Sequence, residues 1–156
     1  MTQAQPDTPR VKIIPPLIYL AGLVIGLLVS ILLPTPLLPV TFARSSGGVL
    51  LVLGIALLAW SIFNFKRHRT TIRPDRAASA LITTGPYTLT RNPIYVGFAA
   101  VYLGVAIAAQ SLWALILLPV VLLIIQRGAI EKEEAFLERR FGPDYTHYKA
   151  RVRRWL

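Results

Sequence analysis

"NPIYVGFAAVYLGVAIAAQSLWALILLPVVLLIIQ", Asn92 to Gln126, runs for 35 residues without a charge. As a single α-helix it would measure roughly 52 Å at about 1.5 Å per residue. A hydrocarbon core is only about 30 Å thick, so the stretch must fold back on itself. The turn falls at "AAQS", Ala108 to Ser111, where a polar residue and small residues interrupt the apolar run. The result is a hairpin of two short, tilted helices over residues 94–126. Ala100, Gly104 and Ala108 recur at every fourth residue and give the hairpin a narrow face for close helix packing. Pro119 deprives the Leu115 carbonyl of its helical partner and loosens the last span.

Upstream lies a second apolar block. Between Ile13 and Phe65 the one charge is Arg44. "IIPPLIYLAGLVIGLLVSILL", Ile13 to Leu33, is long enough to cross a bilayer, and Pro15 and Pro16 stand where a helix can start without losing a needed N–H. "GGVLLVLGIALLAWSIFNF", Gly47 to Phe65, is the next span, with Trp60 and Phe63 at an interfacial height. Gly22, Gly26 and Ser30 repeat every fourth residue on the first span, a face that can pack within the chain or between chains. The first span is too long for a signal-peptide core and is expected to stay attached.

Composition agrees with this reading. The chain is 54% hydrophobic and 15% charged, against about a quarter charged in a soluble domain. The predicted fold is all-α and polytopic: four transmembrane helices, the last two a hairpin, plus a C-terminal helix outside the membrane. Basic residues orient it. Lys66, Arg67, Arg69, Arg73 and Arg76 stand against a single Asp75 in "KRHRTTIRPDR", Arg10 and Lys12 precede the first span, and from Arg127 onward there are eight Lys or Arg. The positive-inside rule puts all three on the cytoplasmic side. The expected organisation is a cytoplasmic tail (1–12), two spans (13–65), a basic cytoplasmic loop (66–93), the hairpin (94–126) and a cytoplasmic helix and tail (127–156). Such a chain belongs in a bacterial inner membrane, with both termini inside.

Several functions are excluded by what is missing. There is no Cys, and His68 and His147 lie far apart without ligand spacing, so no metal site is expected. The net charge of +10 reflects loops that face anionic headgroups rather than nucleic acid. No ionisable residue lies near the middle of a span, which argues against an ion-coupled transporter.

Polar chemistry gathers instead in two places at the membrane edge. In "TTGPYTLTRNPIYVG", Thr83 to Gly97, Gly85 and Pro86 suit a tight turn. Tyr87 and Tyr95 suit either a headgroup belt or stacking on a ligand, Arg91 offers a planar fork to carboxylate or phosphate, and Asn92 both donates and accepts. Taken alone, these residues also describe a helix start whose arginine grips lipid phosphate. The second place is "IEKEEAFLERRFGPDYTHYKARVRRWL", Ile130 to Leu156. Ile130, Glu134, Leu137 and Phe141 have helical spacing, and Gly142–Pro143 ends that helix. Glu133 and Glu134 are adjacent and point about 100° apart, so they do not form a dyad. One is free for a ligand, while pairs such as Glu134–Arg139 describe a solvated face. Tyr145, Tyr148 and Trp155 suit a tail lying along the membrane surface.

Taken in order, "GPYTLTRNPIY", an apolar hairpin and "EEAFLERRFGPDYTHYKARVRRW" resemble the isoprenylcysteine carboxyl methyltransferase family, which takes in phospholipid methyltransferase-like members. The similarity covers about Thr83 to Trp155. It implies S-adenosylmethionine as methyl donor, held at the cytoplasmic edge between the two polar segments. By that resemblance the cofactor contacts would be Gly85, Pro86, Tyr87, Arg91, Asn92, Pro93, Tyr95, Glu133 and Glu134. The catalytic residues expected are Glu134, as a carboxylate near the cofactor or nucleophile, and Arg91, as the anchor of an anionic group. Family members often carry His where this chain has Asn92, and Asn cannot act as a base near neutral pH. The acceptor implied is lipophilic or membrane-permeant: a prenylcysteine carboxylate, a phospholipid amine or a small thiol. A non-catalytic membrane anchor or assembly protein of the same fold is the alternative, and a small transporter comes third.

Overall fold

The computed structural model describes residues 11, 13–36, 38–67 and 80–156. Arg10, Lys12 and most of the basic loop, His68 to Arg76 included, lie outside the described residues. Among the described residues the chain is all-helical. Six α-helices follow in order: α1 (Pro15–Leu32), α2 (Val40–Arg67), α3 (Pro93–Ala108), α4 (Leu112–Ile125), α5 (Glu131–Phe141) and α6 (Pro143–Arg151). A 3-10 turn, Gly85–Thr88, precedes α3, and a π-turn, Gln126–Ile130, joins α4 to α5 without a break.

The protein is a polytopic membrane protein. Pro15–Leu32, Val40–Arg67 and the continuous run Leu112–Phe141 are long and apolar enough to cross a bilayer, and Pro93–Ala108 is a shorter apolar helix. Within the last run the apolar part is α4, because charge begins at Arg127. Large hydrophobic side chains face outward: Leu17, Leu20, Leu28 and Ile31 on α1, Val49, Val52 and Leu53 on α2, Ile116 and Val120 on α4. The interior combines small residues and tyrosines with a few large apolar side chains such as Ile125 and Ile130. Where lipid is as apolar as leucine, close backbone approach and internal hydrogen bonds hold helices together.

The helices pair antiparallel, α2 with α3 and α1 with α4, and the α3–α4 hairpin joins the pairs. Glycines set both contacts. A Cβ on Gly47 would lie 2.6 Å from the Ala108 nitrogen, on Gly104 2.6 Å from the Leu51 nitrogen, and on Gly54 2.8 Å from the Val101 nitrogen. Gly26 meets the Ala114 backbone in the same way, and Gly22 faces Val121 and Tyr102. The Gly22/Gly26 face thus packs within the chain. Of the small-residue face read from the hairpin sequence, Gly104 and Ala108 lie against Gly47, joined by Gly97 near Gly54 and Leu58.

Several polar groups tie the bundle together from inside. Tyr102 donates to the Ala114 carbonyl (2.9 Å), and Tyr19 donates to the Tyr95 carbonyl (3.1 Å) while its ring stacks on Phe98. Ser111 caps α4 by accepting from the Ala114 N–H (3.1 Å) and meets the Ser30 hydroxyl at 2.6 Å. Thus the turn at Ala108–Ser111 is both the reversal of the chain and a tie to α1.

Two expectations need correction. The second span starts at Val40 rather than Gly47, so Arg44 stands inside a helix and not in the linker. Ser45 and Ser46 return their hydroxyls to the Thr41 and Phe42 carbonyls (2.9 and 2.7 Å), which makes these polar residues tolerable in a helix. The helix after the hairpin is also not separate from it. α4 passes Pro119 and continues through the π-turn into α5.

The glycine contacts make a paired prediction. Gly104→Ala should lower the thermal unfolding midpoint in detergent, by about 1–3 kcal/mol of overpacking against the α2 backbone. Gly48, one residue beyond Gly47, has nothing within 4 Å of its would-be Cβ. Gly48→Ala should be neutral or stabilising by up to about 1 kcal/mol. Equal losses in both variants would contradict this packing.

Candidate active site

The 3-10 turn forms because Gly85 takes φ +63°, a left-handed conformation that favours glycine. Its Cα also sits against the end of α2, where an added Cβ would lie 2.6 Å from Asn64 Nδ2. Pro86 and Pro93 are fully buried. Tyr87 packs edge-on against Phe65 (5.8 Å), and its carbonyl accepts from the Tyr148 hydroxyl (2.7 Å). Ile82, Tyr87, Tyr145 and Tyr148 make a second small core at this end of the bundle.

Glu134 is the centre of the site. It is 5% exposed and receives a bidentate Arg154, Nε to Oε1 at 3.1 Å and Nη2 to Oε2 at 2.7 Å. Arg91 approaches the same carboxylate through Nη2 at 3.2 Å. The Arg91 side chain is 9% exposed, and among the described residues its Nε and Nη1 are buried without a well-aligned hydrogen bond, with the Tyr145 hydroxyl the polar group beside the guanidinium. Burying unmatched donors is costly, so these two nitrogens are suited to an anionic group. Tyr145 lies beside this pair. Burial, with the Glu134 charge adding and Arg91 opposing, pushes its hydroxyl up to about 12.

Glu133 has different company. It accepts a short hydrogen bond from the Tyr95 hydroxyl (2.6 Å) and has no arginine partner among the described residues. Burial pushes its carboxyl up to about 7; the Tyr95 hydrogen bond opposes this and the Glu134 charge adds to it. One neighbour in the sequence is therefore held by two arginines and the other by a tyrosine.

The C-terminal tail closes over the Arg91–Glu134 pair. The Arg153 carbonyl accepts from the Arg91 N–H (2.8 Å), and the Arg154 carbonyl accepts from the Thr90 hydroxyl (2.9 Å) and the Asn92 amide (3.1 Å). Trp155 donates its indole N–H to Gln126 in the π-turn (3.1 Å). Arg154 also stands 3.7 Å from Glu131.

Of the residues singled out from the sequence, Arg91, Asn92, Tyr95, Glu133 and Glu134 come together. Gly85, Pro86, Tyr87 and Pro93 build the wall behind them. Of the two situations open to Glu134, the structure has it paired with Arg91 and Arg154 and not with the exposed Arg139, because Arg139 lies on the solvated side of α5. Asn92 uses its side-chain amide to hold the tail. Tyr145 and Tyr148 pack against the loop, while Trp155 reaches the π-turn. Arg154 and Thr90 were not singled out. Nothing local in the sequence marks them, as Arg154 meets Glu134 across 20 positions and Thr90 across 64.

A family profile described as phospholipid methyltransferase matches residues 42–144, about two thirds of the chain. The chain belongs to the phospholipid methyltransferase family. The match begins within α2 and takes in the turn, the hairpin and all of α5. Membership supports a membrane methyltransferase of the phospholipid or isoprenylcysteine type. An uncharacterized protein of Haemophilus influenzae is 49% identical over 35 residues, which is 22% of this chain and 56% of that protein. The chain thus aligns with little more than half the length of that relative. No solved structure matches it.

The titration of Glu133 predicts a pH effect for this family member. Its folded value is raised from 4.5 to about 7, so the folded state holds the proton more tightly than the unfolded chain. That contribution to stability is complete below the unfolded value and is lost as pH rises through the folded one. Glu133→Gln imitates the protonated form. Relative to the parent, it should gain thermal stability as pH is raised from about 5 to about 8; a parallel pH course would refute the assignment.

Proposed function

We propose that this rim of the bundle binds S-adenosylmethionine and transfers its methyl group to a lipophilic acceptor that arrives from the bilayer. The observation carrying the proposal is the buried Arg91, paired with Glu134 yet with Nε and Nη1 unmatched by a well-aligned acceptor among the described residues, beside a second carboxyl that none of the described arginines neutralises. When bound, S-adenosylmethionine supplies an electrophilic methyl on a positive sulfur. Arg91 would hold an anionic group through Nε and Nη1. Glu134 would keep the guanidinium in place, a positioning part in place of the nucleophile-side part that the sequence suggests. Gly85, Pro86, Tyr87 and Pro93 would form a dry wall. Asn92 would act through the tail.

Glu133 is the group best suited to the acceptor. A carboxylate acceptor needs no base, whereas an amine or a thiol must give up a proton before it attacks. A carboxyl that titrates near neutrality, held at one oxygen by Tyr95, can take that proton. This favours an amine or thiol over a carboxylate. The protein otherwise contributes alignment and exclusion of water. Lys66 and Arg67 at the end of α2, with the basic residues of α5 and α6, favour the cytoplasmic face for the site.

Calorimetric titration of the detergent-purified protein with S-adenosylmethionine tests the reading. The parent should bind saturably. Arg91→Ala should bind at least roughly tenfold more weakly, as expected for loss of hydrogen bonds to a charged group. Glu133→Gln should still bind. A folded parent without affinity for S-adenosylmethionine would favour the non-catalytic anchor.

A further inference from the structure

Arg91 and Glu134 lie beneath the last five residues of the chain. α6 ends at Arg151, and Val152–Leu156 crosses back over the site without helical structure. Most of its ties are neutral hydrogen bonds: the Arg153 and Arg154 carbonyls to Arg91, Thr90 and Asn92, and Trp155 to Gln126. Arg154 differs. Its guanidinium makes the charge-assisted, bidentate contact to Glu134 from a side chain that is 30% exposed. Such pairs are stronger than neutral ones.

The charges make this contact reversible. Glu134 is already partnered by the buried Arg91, so one carboxylate has two arginines. If the tail lifts, Arg154 passes into water and Glu134 keeps Arg91. No unpaired buried charge is left behind, which is what makes breaking most buried pairs costly. The remaining neutral bonds can then be exchanged for water.

We propose that Val152–Leu156 is a strap gating the Arg91–Glu134 pair, with Arg154 as its latch, and that ligands reach the pair when the strap lifts. The identity of the ligand rests on the S-adenosylmethionine reading above; the latch does not.

The chain has no cysteine, so two can be introduced cleanly. Lys132 on α5 and Leu156 are both exposed, and nitroxides at K132C and L156C report the distance across the strap by pulsed electron paramagnetic resonance. The parent should give one narrow short-distance population. Arg154→Gln should raise the long-distance fraction roughly tenfold, the effect of losing a charge-assisted contact. Lys149→Gln, which breaks the exposed Lys149–Glu138 pair on α6, should leave the distribution unchanged. In stopped-flow mixing, Arg154→Gln should speed S-adenosylmethionine association by about the same factor as the long-distance fraction. An unchanged distribution in Arg154→Gln overturns the latch. A lengthened distribution with unchanged or slower association overturns the gate. If neither form binds S-adenosylmethionine, the cofactor reading fails, and the distance distribution alone decides the strap.

Discussion

A carboxylate taken out of water has to be matched, and Glu134 is matched from two directions at once. Arg91 comes from the loop before α3 and Arg154 from the far end of the chain. Burying a charge without a partner would cost several kcal/mol, so the loop, α5 and the tail are obliged to meet. The rest of the rim follows from that meeting. With the loop in place, the Arg91 N–H, the Thr90 hydroxyl and the Asn92 side-chain amide face the tail, and the carbonyls of Arg153 and Arg154 accept from them. The buried tyrosines of α6 then fill the space between the loop and α5.

The membrane bundle supplies the frame for this rim. Glycines let α2 reach α3 and α1 reach α4 at backbone contact, which fixes where α3 begins and where α4 hands over to α5. Tyr19 reaches from α1 to the Tyr95 carbonyl, and Tyr95 in turn reaches Glu133. A side chain on the first helix therefore supports the residue that holds the titrating carboxyl. The π-turn at Gln126–Ile130 is the other connection, because it presents Gln126 to both Trp155 and Glu131. π-turns in helices are frequent at functional sites.

Much of this was legible in the sequence, for physical reasons that differ between segments. Apolar length and the prolines at 15, 16 and 93 mark helix starts, and Gly142–Pro143 marks an end, because these signals are local. That the apolar run reverses follows from membrane thickness, and its place at Ala108–Ser111 from the polar and small residues there. Arg44, Ser45 and Ser46 hid the true start of α2, since a polar cluster reads as linker until its hydroxyls are seen returning to the helix backbone. The partners of Glu134 are hidden for the opposite reason. Arg139 is near in sequence, whereas Arg154 is near only after α6 has turned back. Glu133 and Glu134 look equivalent as residues, and only their partners separate them.

The central claim is that methyl transfer occurs at this rim. Its most direct test uses S-adenosylmethionine carrying a radiolabelled methyl group, added to the protein in liposomes of total membrane lipid, followed by extraction into organic solvent. Label should pass into the lipid fraction with the parent protein and be lost with Glu133→Gln. Transfer undiminished by that substitution would contradict the place given to Glu133, and a parent that binds the donor yet labels no lipophilic acceptor would contradict the claim itself.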